Sequence, residues 1–196
     1  MRELELKAVV PDLESCRTRL EQHGGVCRER GLLRDRRFDT AERTLRARDV
    51  VLRVREFSGT HSHASVDWKG AASVVQGYKE REEVSLGVAD GETAALILAR
   101  LGYKVSFEIE RDVDVYDFRG ATIRFERYPR MDTLVEVEGT PAEIEAAIVA
   151  LGIPRSAFGT GRLADFAKAF EDRTGTRAAV SSAESGTSSP YLRDDA

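Results

Sequence analysis

Charged side chains recur at every second position along several segments of this chain. Glu3, Glu5 and Lys7 are spaced this way, as are Arg53 and Arg55, Lys79, Arg81 and Glu83, Arg124 and Glu126, and Glu136 and Glu138. Residues two apart share one face of a strand, so each set would present its charges together. Arg111 shares its face with Phe107, Ile109, Val113 and Val115, and Lys69 sits near a strand end just before Gly70. Carboxylates are hard oxygen ligands suited to Mg2+ or Mn2+. Packed together they repel unless a cation lies among them. Arg and Lys match phosphate oxygens, Arg by paired hydrogen bonds. The combination is the equipment of phosphoryl chemistry, where positioning and charge neutralisation supply most of the rate. On one strand alone, alternating charge is ordinarily the wet face of a half-buried sheet. Repeated on strand after strand, it could also be the inner face of a barrel with a polar interior.

The elements that would position these residues follow from periodicity. Alternation or strand-type composition predicts strands at 2–9, 33–38, 50–56, 64–69, 78–85, 103–116, 121–127 and 133–138. Pro11-Asp12 opens a helix that Gly24-Gly25 ends, and a second helix covers about 90–101 before Gly102. Thr140-Pro141-Ala142-Glu143 is a capping box with Pro at the first helical position, and it starts a helix ending at Gly152. A last helix carries Leu163, Phe166, Ala167 and Phe170. Eight strands is a natural number for closure, although an open sheet fits the same pattern. The expected class is α+β, one domain over residues 1–173. Residues 174–196 turn small and polar and are expected to form a disordered tail.

Composition narrows the function. The 196 residues suffice for a sizeable core, and the charged fraction of 33% is above the usual quarter. A net charge of −4 gives no overall basic field, so neither nucleic acid nor an acidic membrane is an expected partner. Cys16 and Cys27 make no disulfide framework and no zinc site, and read as structural thiols. With no apolar leader after Met1 and no run of transmembrane length, a soluble cytoplasmic protein is expected. His61-Ser62-His63 lies in a Ser/Gly turn and reads as exposed. The line Glu108, Glu110, Asp112 and Asp114 has the opposite parity from Arg111 and reads as a solvated outer face.

Taken in order, these segments resemble one family. Glu3-Leu4-Glu5-Leu6-Lys7 is similar to the ExExK signature of the CYTH family, the triphosphate tunnel metalloenzymes. Asp35-Arg36-Arg37-Phe38-Asp39 resembles its D-x-Y-F-D segment, Leu52-Arg53-Val54-Arg55 its LRxR strand, Lys69-Gly70 its KG element and Glu136-Val137-Glu138 its closing ExE. The resemblance spans about residues 1–170. It implies a closed eight-stranded antiparallel β-barrel with flanking helices, a triphosphate held inside, and Mg2+ or Mn2+ as cofactor. It implies Glu3, Glu5, Glu126, Glu136 and Glu138 as metal carboxylates. Lys7, Arg53, Arg55, Lys69, Arg81 and Arg111 become phosphate ligands, with Lys7 and Glu5 nearest the chemistry. The implied reaction is that of class IV adenylate cyclases, ATP to cyclic AMP and pyrophosphate. Hydrolysis of inorganic tripolyphosphate or thiamine triphosphate is the alternative, and a noncatalytic triphosphate- or polyphosphate-binding module a further one. A homodimer is an implied association. The chain departs from the family at Arg37, where an aromatic is usual, at Val113, where a basic residue is common, and at Glu126, where Asp is usual.

Overall fold

The computed structural model describes residues 2–185. Nine strands make one sheet: β1 (Arg2–Val9), β2 (Val26–Asp39), β3 (Val51–Gly59), β4 (His63–Lys69), β5 (Ser73–Val75), β6 (Tyr78–Val88), β7 (Lys104–Phe118), β8 (Ala121–Arg127) and β9 (Leu134–Glu138). Their order is β1-β9-β8-β7-β2-β3-β4-β6-β5, and β1 also pairs with β6. Eight strands therefore close an antiparallel barrel, as expected, and β5 is a short flap on β6. The closing register sets Glu3 opposite Arg81 and Glu5 opposite Lys79. Five helices flank the barrel: α1 (Leu13–Gln22), α2 (Thr44–Ala47), α3 (Gly91–Arg100), α4 (Pro141–Leu151) and α5 (Leu163–Thr174).

Parity decides where the core lies. The charged face of each strand turns inward, so the apolar face of the same strand must be covered from outside. On β1 the residues between the charges, Leu6 and Ala8, are fully buried beneath helices. They join Ile123 and Phe125 of β8, Val135 and Val137 of β9, and Cys16 and Leu20 of α1. Ile144, Ala147, Ile148 and Leu151 of α4 complete the cluster. A second layer packs Ala94 and Ala95 of α3 on Phe38 and Val54. The main hydrophobic cores are thus between barrel and helices, leaving most of the interior to charge.

Local chemistry fixes the helix ends. The Asp12 side chain accepts from the Ser15 amide at the start of α1, and Asp90 accepts from the Glu92 and Thr93 amides at the start of α3. Thr140 and Glu143 form the expected capping box of α4, with Pro141 at its first turn and Gly152 left-handed at its end. The β7–β8 hairpin turns on Arg119 and Gly120, both with positive φ (48° and 93°). A Cβ at Gly120 would stand 2.3 Å from Glu143 Oε1, so the turn and the α4 cap interlock.

The structure corrects three expectations. Strand β2 begins at Val26 rather than 33, because its first half pairs with the far end of β7 (Val26 opposite Asp117) despite weak alternation. The outer acidic line is not uniformly solvated. Asp112 is exposed, but Asp114 is buried against Arg17 (3.5 Å), Arg30 (3.7 Å) and Arg127 (2.9 Å). Glu110 accepts from the Ser182 amide and lies 3.7 Å from Arg34. The last helix runs to Thr174, and residues 175–185, expected in the tail, dock on the barrel. Ala178, Ala179 and Val180 are buried, Ala179 bridges Arg130, and the Glu110 amide donates to the Val180 carbonyl. The remainder of the expected tail, 186–196, lies outside the described residues.

Candidate active site in the barrel interior

The inward faces of eight strands assemble one continuous charged lining. At its centre Asp35 of β2, 1% exposed, holds three guanidinium groups: Arg55 Nε at 2.8 Å, Arg111 Nη1 at 2.9 Å and Arg53 Nη1 at 3.4 Å. Arg53 Nε also donates to Asp67 Oδ2 (2.8 Å), whose other oxygen accepts from Ser85. Arg111 Nε donates to Glu126 Oε1 (3.1 Å), and the Tyr128 hydroxyl donates to Glu126 Oε2 (2.7 Å). Cross-strand registry sets two of these pairs face to face, Arg55 opposite Asp35 and Arg53 opposite Asp67, while Arg111 reaches Asp35 and Glu126 diagonally.

A carboxylate cluster occupies the opposite wall. Carboxylate oxygens of Glu5, Glu136 and Glu138 lie within 4.8 Å of one another. Two strand pairings cause this, for Glu5 lies opposite Glu138 across β1–β9 and Lys7 opposite Glu136. Lys7 Nζ is ion-paired with Glu136 and 3.9 Å from Glu5, and Lys79 Nζ also reaches Glu5. Arg124 Nη1 is 2.8 Å from Glu136 and Nη2 3.2 Å from Glu138. Beside this group, Lys69 pairs with Glu83.

The electrostatics follow from burial and neighbours. Burial raises the Glu138 carboxyl to about 8, with the Glu136 charge adding to the rise and Arg124 opposing it. Burial would also raise Glu136, but Lys7 and Arg124 hold it well below the usual carboxylate range. For Lys7, burial lowers the ammonium and the charges of Glu136, Glu5 and Glu126 more than reverse it, so the amine stays protonated. Asp35 is held well below the usual range by Arg111, Arg53 and Arg55 against the effect of burial. Three converging carboxylates, one of them raised by burial and by its neighbour's charge, are a donor set suited to a hard divalent cation.

One part of the interior is apolar. Leu33, Phe57, Val113 and Val115 form a buried apolar cluster on the inward faces of β2, β3 and β7. Toward the other end lie Arg37, Arg53 and Arg81, and Arg81 reaches Asp49 in the turn before β3 (2.8 Å). Asp49 is also 3.2 Å from Arg162, ahead of α5.

Every residue singled out from the sequence faces this interior, but not as one group. Glu5, Glu136 and Glu138 converge. Glu126 is taken up by Arg111 and Tyr128, and Glu3 is influenced by Glu83 and Lys69 instead of joining the cluster. Arg53, Arg55 and Arg111 meet on Asp35, while Lys7, Lys69 and Arg81 stand on other strands around the lining. The sequence reading missed Asp35, Asp67 and Tyr128 as interior groups, and placed Arg124 on the charged face without giving it a role. Parity was the available signal: Asp67 is two before Lys69, Tyr128 two after Glu126, and Asp35 two before Arg37.

Comparison with known proteins agrees with this architecture. No curated protein matches the chain significantly. Among solved structures, a candidate adenylate cyclase from Vibrio parahaemolyticus superposes with a TM-score of 0.73 at 15% identity, covering 84% of this chain and 96% of that one. A candidate adenylyl cyclase from Hippeastrum with a dominant triphosphatase activity gives 0.62 at 16% identity, covering 90% and 97%. A chain of the Mediator head module from Schizosaccharomyces pombe gives 0.57 at 17%, covering 77% and 89%, so this fold also serves in an assembly of another kind. At such identities these likenesses speak for the fold alone. The sequence itself matches the CYTH domain model over residues 1–147, three quarters of the chain, and the chain belongs to the CYTH domain family.

Proposed function

We propose that this protein is a divalent-metal-dependent enzyme that processes a triphosphate inside the barrel, with hydrolysis as the reaction its interior supports best. The observation that carries the reading is the convergence of Glu5, Glu136 and Glu138 opposite an arginine group held on Asp35. CYTH proteins bind triphosphates and are metal-dependent, which agrees with that division of the interior. Glu5, Glu136 and Glu138 would hold Mg2+ or Mn2+; Glu3 and Glu126 serve as further carboxylates of the lining. When bound, the ion would neutralise phosphate charge and lower the pKa of a coordinated water.

The chain's own residues supply the rest. Arg53, Arg55, Arg111, Lys69 and Arg81 line the path of a polyphosphate chain, each able to exchange part of its carboxylate pairing for a phosphate oxygen. Lys7, kept protonated by its acidic neighbours, acts as a cation beside the reacting phosphate and is a poor proton acceptor. Glu5, touched by Lys7 and Lys79, positions both amines. The apolar cluster of Leu33, Phe57, Val113 and Val115 offers no phosphate ligand, so it bounds the charged path on that side.

Cyclisation of ATP to cyclic AMP and pyrophosphate is the second reading, favoured by the cyclase names among the structural neighbours. Beyond the apolar cluster the lining is charged on every wall, which favours hydrolysis of a substrate that carries phosphate along its length. Incubation with tripolyphosphate, ATP or thiamine triphosphate, with Mg2+, Mn2+ or chelator, separates the readings. Phosphate released from tripolyphosphate or thiamine triphosphate supports hydrolysis; cyclic AMP with pyrophosphate supports cyclisation. Metal-dependent tripolyphosphate binding without any product would instead make the chain a binding module.

A further inference from the structure

Of the guanidinium groups that line the barrel, Arg37 is left without an anion. It sits on β2 opposite Arg53 of β3 and Phe107 of β7. Its neighbours are supplied: Arg53 has Asp35 and Asp67, Arg111 has Asp35 and Glu126, and Arg81 has Asp49. Among the described residues no carboxylate stands within ion-pair distance of Arg37. Its buried Nε has no hydrogen-bond partner, and its guanidinium lies over the Phe107 ring, 5.4 Å from the centroid. Its pKa is lowered to about 10, by burial first and by the charges of Arg53, Arg111 and Arg81 as well, with Asp35 opposing them.

A half-buried cation beside three others is unfavourable unless something negative completes the set. Phe107 holds the guanidinium plane but adds no charge. A neutral group in front of Arg37 could accept one hydrogen bond, yet would leave the repulsion among the four guanidinium groups in place. An oxyanion would relieve both. Arg37 lies level with Arg53 and beyond Arg55 and Arg111, on the side away from the apolar cluster, where the far end of a chain in the barrel would rest.

We propose that Arg37 is a specificity-determining residue that binds a phosphate oxygen at the end of the charged lining away from the apolar cluster, so that the preferred substrate carries charge along its whole length. That substrate class is inorganic tripolyphosphate or a longer polyphosphate, in preference to an ester whose neutral organic group would face Arg37. The inference rests on the triphosphate reading above and narrows it.

The test compares wild type, Arg37→Gln and Arg37→Lys in chelator, with tripolyphosphate and ATP as probes in calorimetry and thermal unfolding of the ligand-free proteins alongside. Wild type is expected to bind tripolyphosphate more tightly than ATP. Arg37→Gln should weaken tripolyphosphate about tenfold or more, the scale of one lost charge-assisted hydrogen bond, and change ATP less. It should also raise the Tm of the ligand-free protein, because an unpaired half-buried charge is gone; Arg37→Lys should retain most of the preference. An unchanged preference in Arg37→Gln, or a fall in ligand-free Tm together with affinity for both probes, overturns the assignment and indicates a structural role. Wild type that binds neither probe, in chelator or with Mn2+ added, overturns the triphosphate reading itself, and the inference with it.

Discussion

Replacing Asp35 by Asn removes the one anion shared by Arg53, Arg55 and Arg111 while keeping its shape. The magnitude follows from what each arginine retains. Arg53 keeps Asp67 at 2.8 Å and Arg111 keeps Glu126 at 3.1 Å, whereas Arg55 is left with Asp67 at 4.0 Å. The loss is therefore closer to that of one broken buried pair than of three, about 3–5 kcal/mol. For a chain of this size that lowers Tm by about 6–20 °C, at roughly 2–4 °C per kcal/mol. The pH dependence has a definite sign. The folded carboxyl of Asp35 titrates well below its unfolded value, so its stabilisation is complete above the unfolded pKa and is lost as pH falls through the folded one. The gap between wild type and Asp35→Asn should be constant from about pH 5 upward and shrink below about pH 4. Thermal unfolding of metal-free protein, followed by circular dichroism across that range, reads both effects. Tripolyphosphate should raise the Tm of the variant more than that of wild type, because the anion then replaces the missing charge. A variant within about 2 °C of wild type at pH 7 would show that the arginines do not depend on Asp35, and would refute the reasoning.

Two further outcomes follow from the same picture. The Glu138 carboxyl titrates near 8, so a metal ion must displace its proton at neutral pH. Calorimetry with Mn2+ alone in buffers of different ionisation enthalpy should show close to one proton released per ion at pH 7. The affinity should rise about tenfold per pH unit up to about 8 and then level; an affinity independent of pH would remove Glu138 from the site. Ile148→Ala, on the buried face of α4, should destabilise by about 2–5 kcal/mol and leave tripolyphosphate affinity unchanged, because that core lies outside the barrel wall. Loss of affinity in a folded Ile148→Ala protein would show that helix packing and the interior are coupled.

Much of the interior was legible because strand parity is a property of sequence. Glu3, Glu5 and Lys7 point one way and Leu4, Leu6 and Ala8 the other, whatever the strand pairs with. The capping box at Thr140 and the turn at Arg119-Gly120 are likewise local, and both stand where the residues place them. Closure was not legible from pattern. It depends on residues 2–5 finding 79–82, and the same alternation would serve an open sheet. Division of labour among the charges was hidden for the same reason: whether Glu126 faces Glu136 or Arg111 depends on the β7–β8 and β8–β9 registers together. Residues 178–180 carry no periodic signal. Their burial comes from backbone hydrogen bonds with Arg130 and Glu110, which composition does not show.

The central claim is that the carboxylate trio and the arginine group form one metal-dependent triphosphate site. Glu138→Gln tests it most directly, because Gln closely resembles the protonated acid present at neutral pH and should fold as wild type does. The measurement is the initial rate of product formation from tripolyphosphate as Mn2+ is titrated, wild type beside Glu138→Gln. Wild type should show saturable dependence on the ion, and the variant should fall at least about a hundredfold while still binding tripolyphosphate in chelator. A variant with the wild-type rate and the wild-type dependence on Mn2+ would contradict the account.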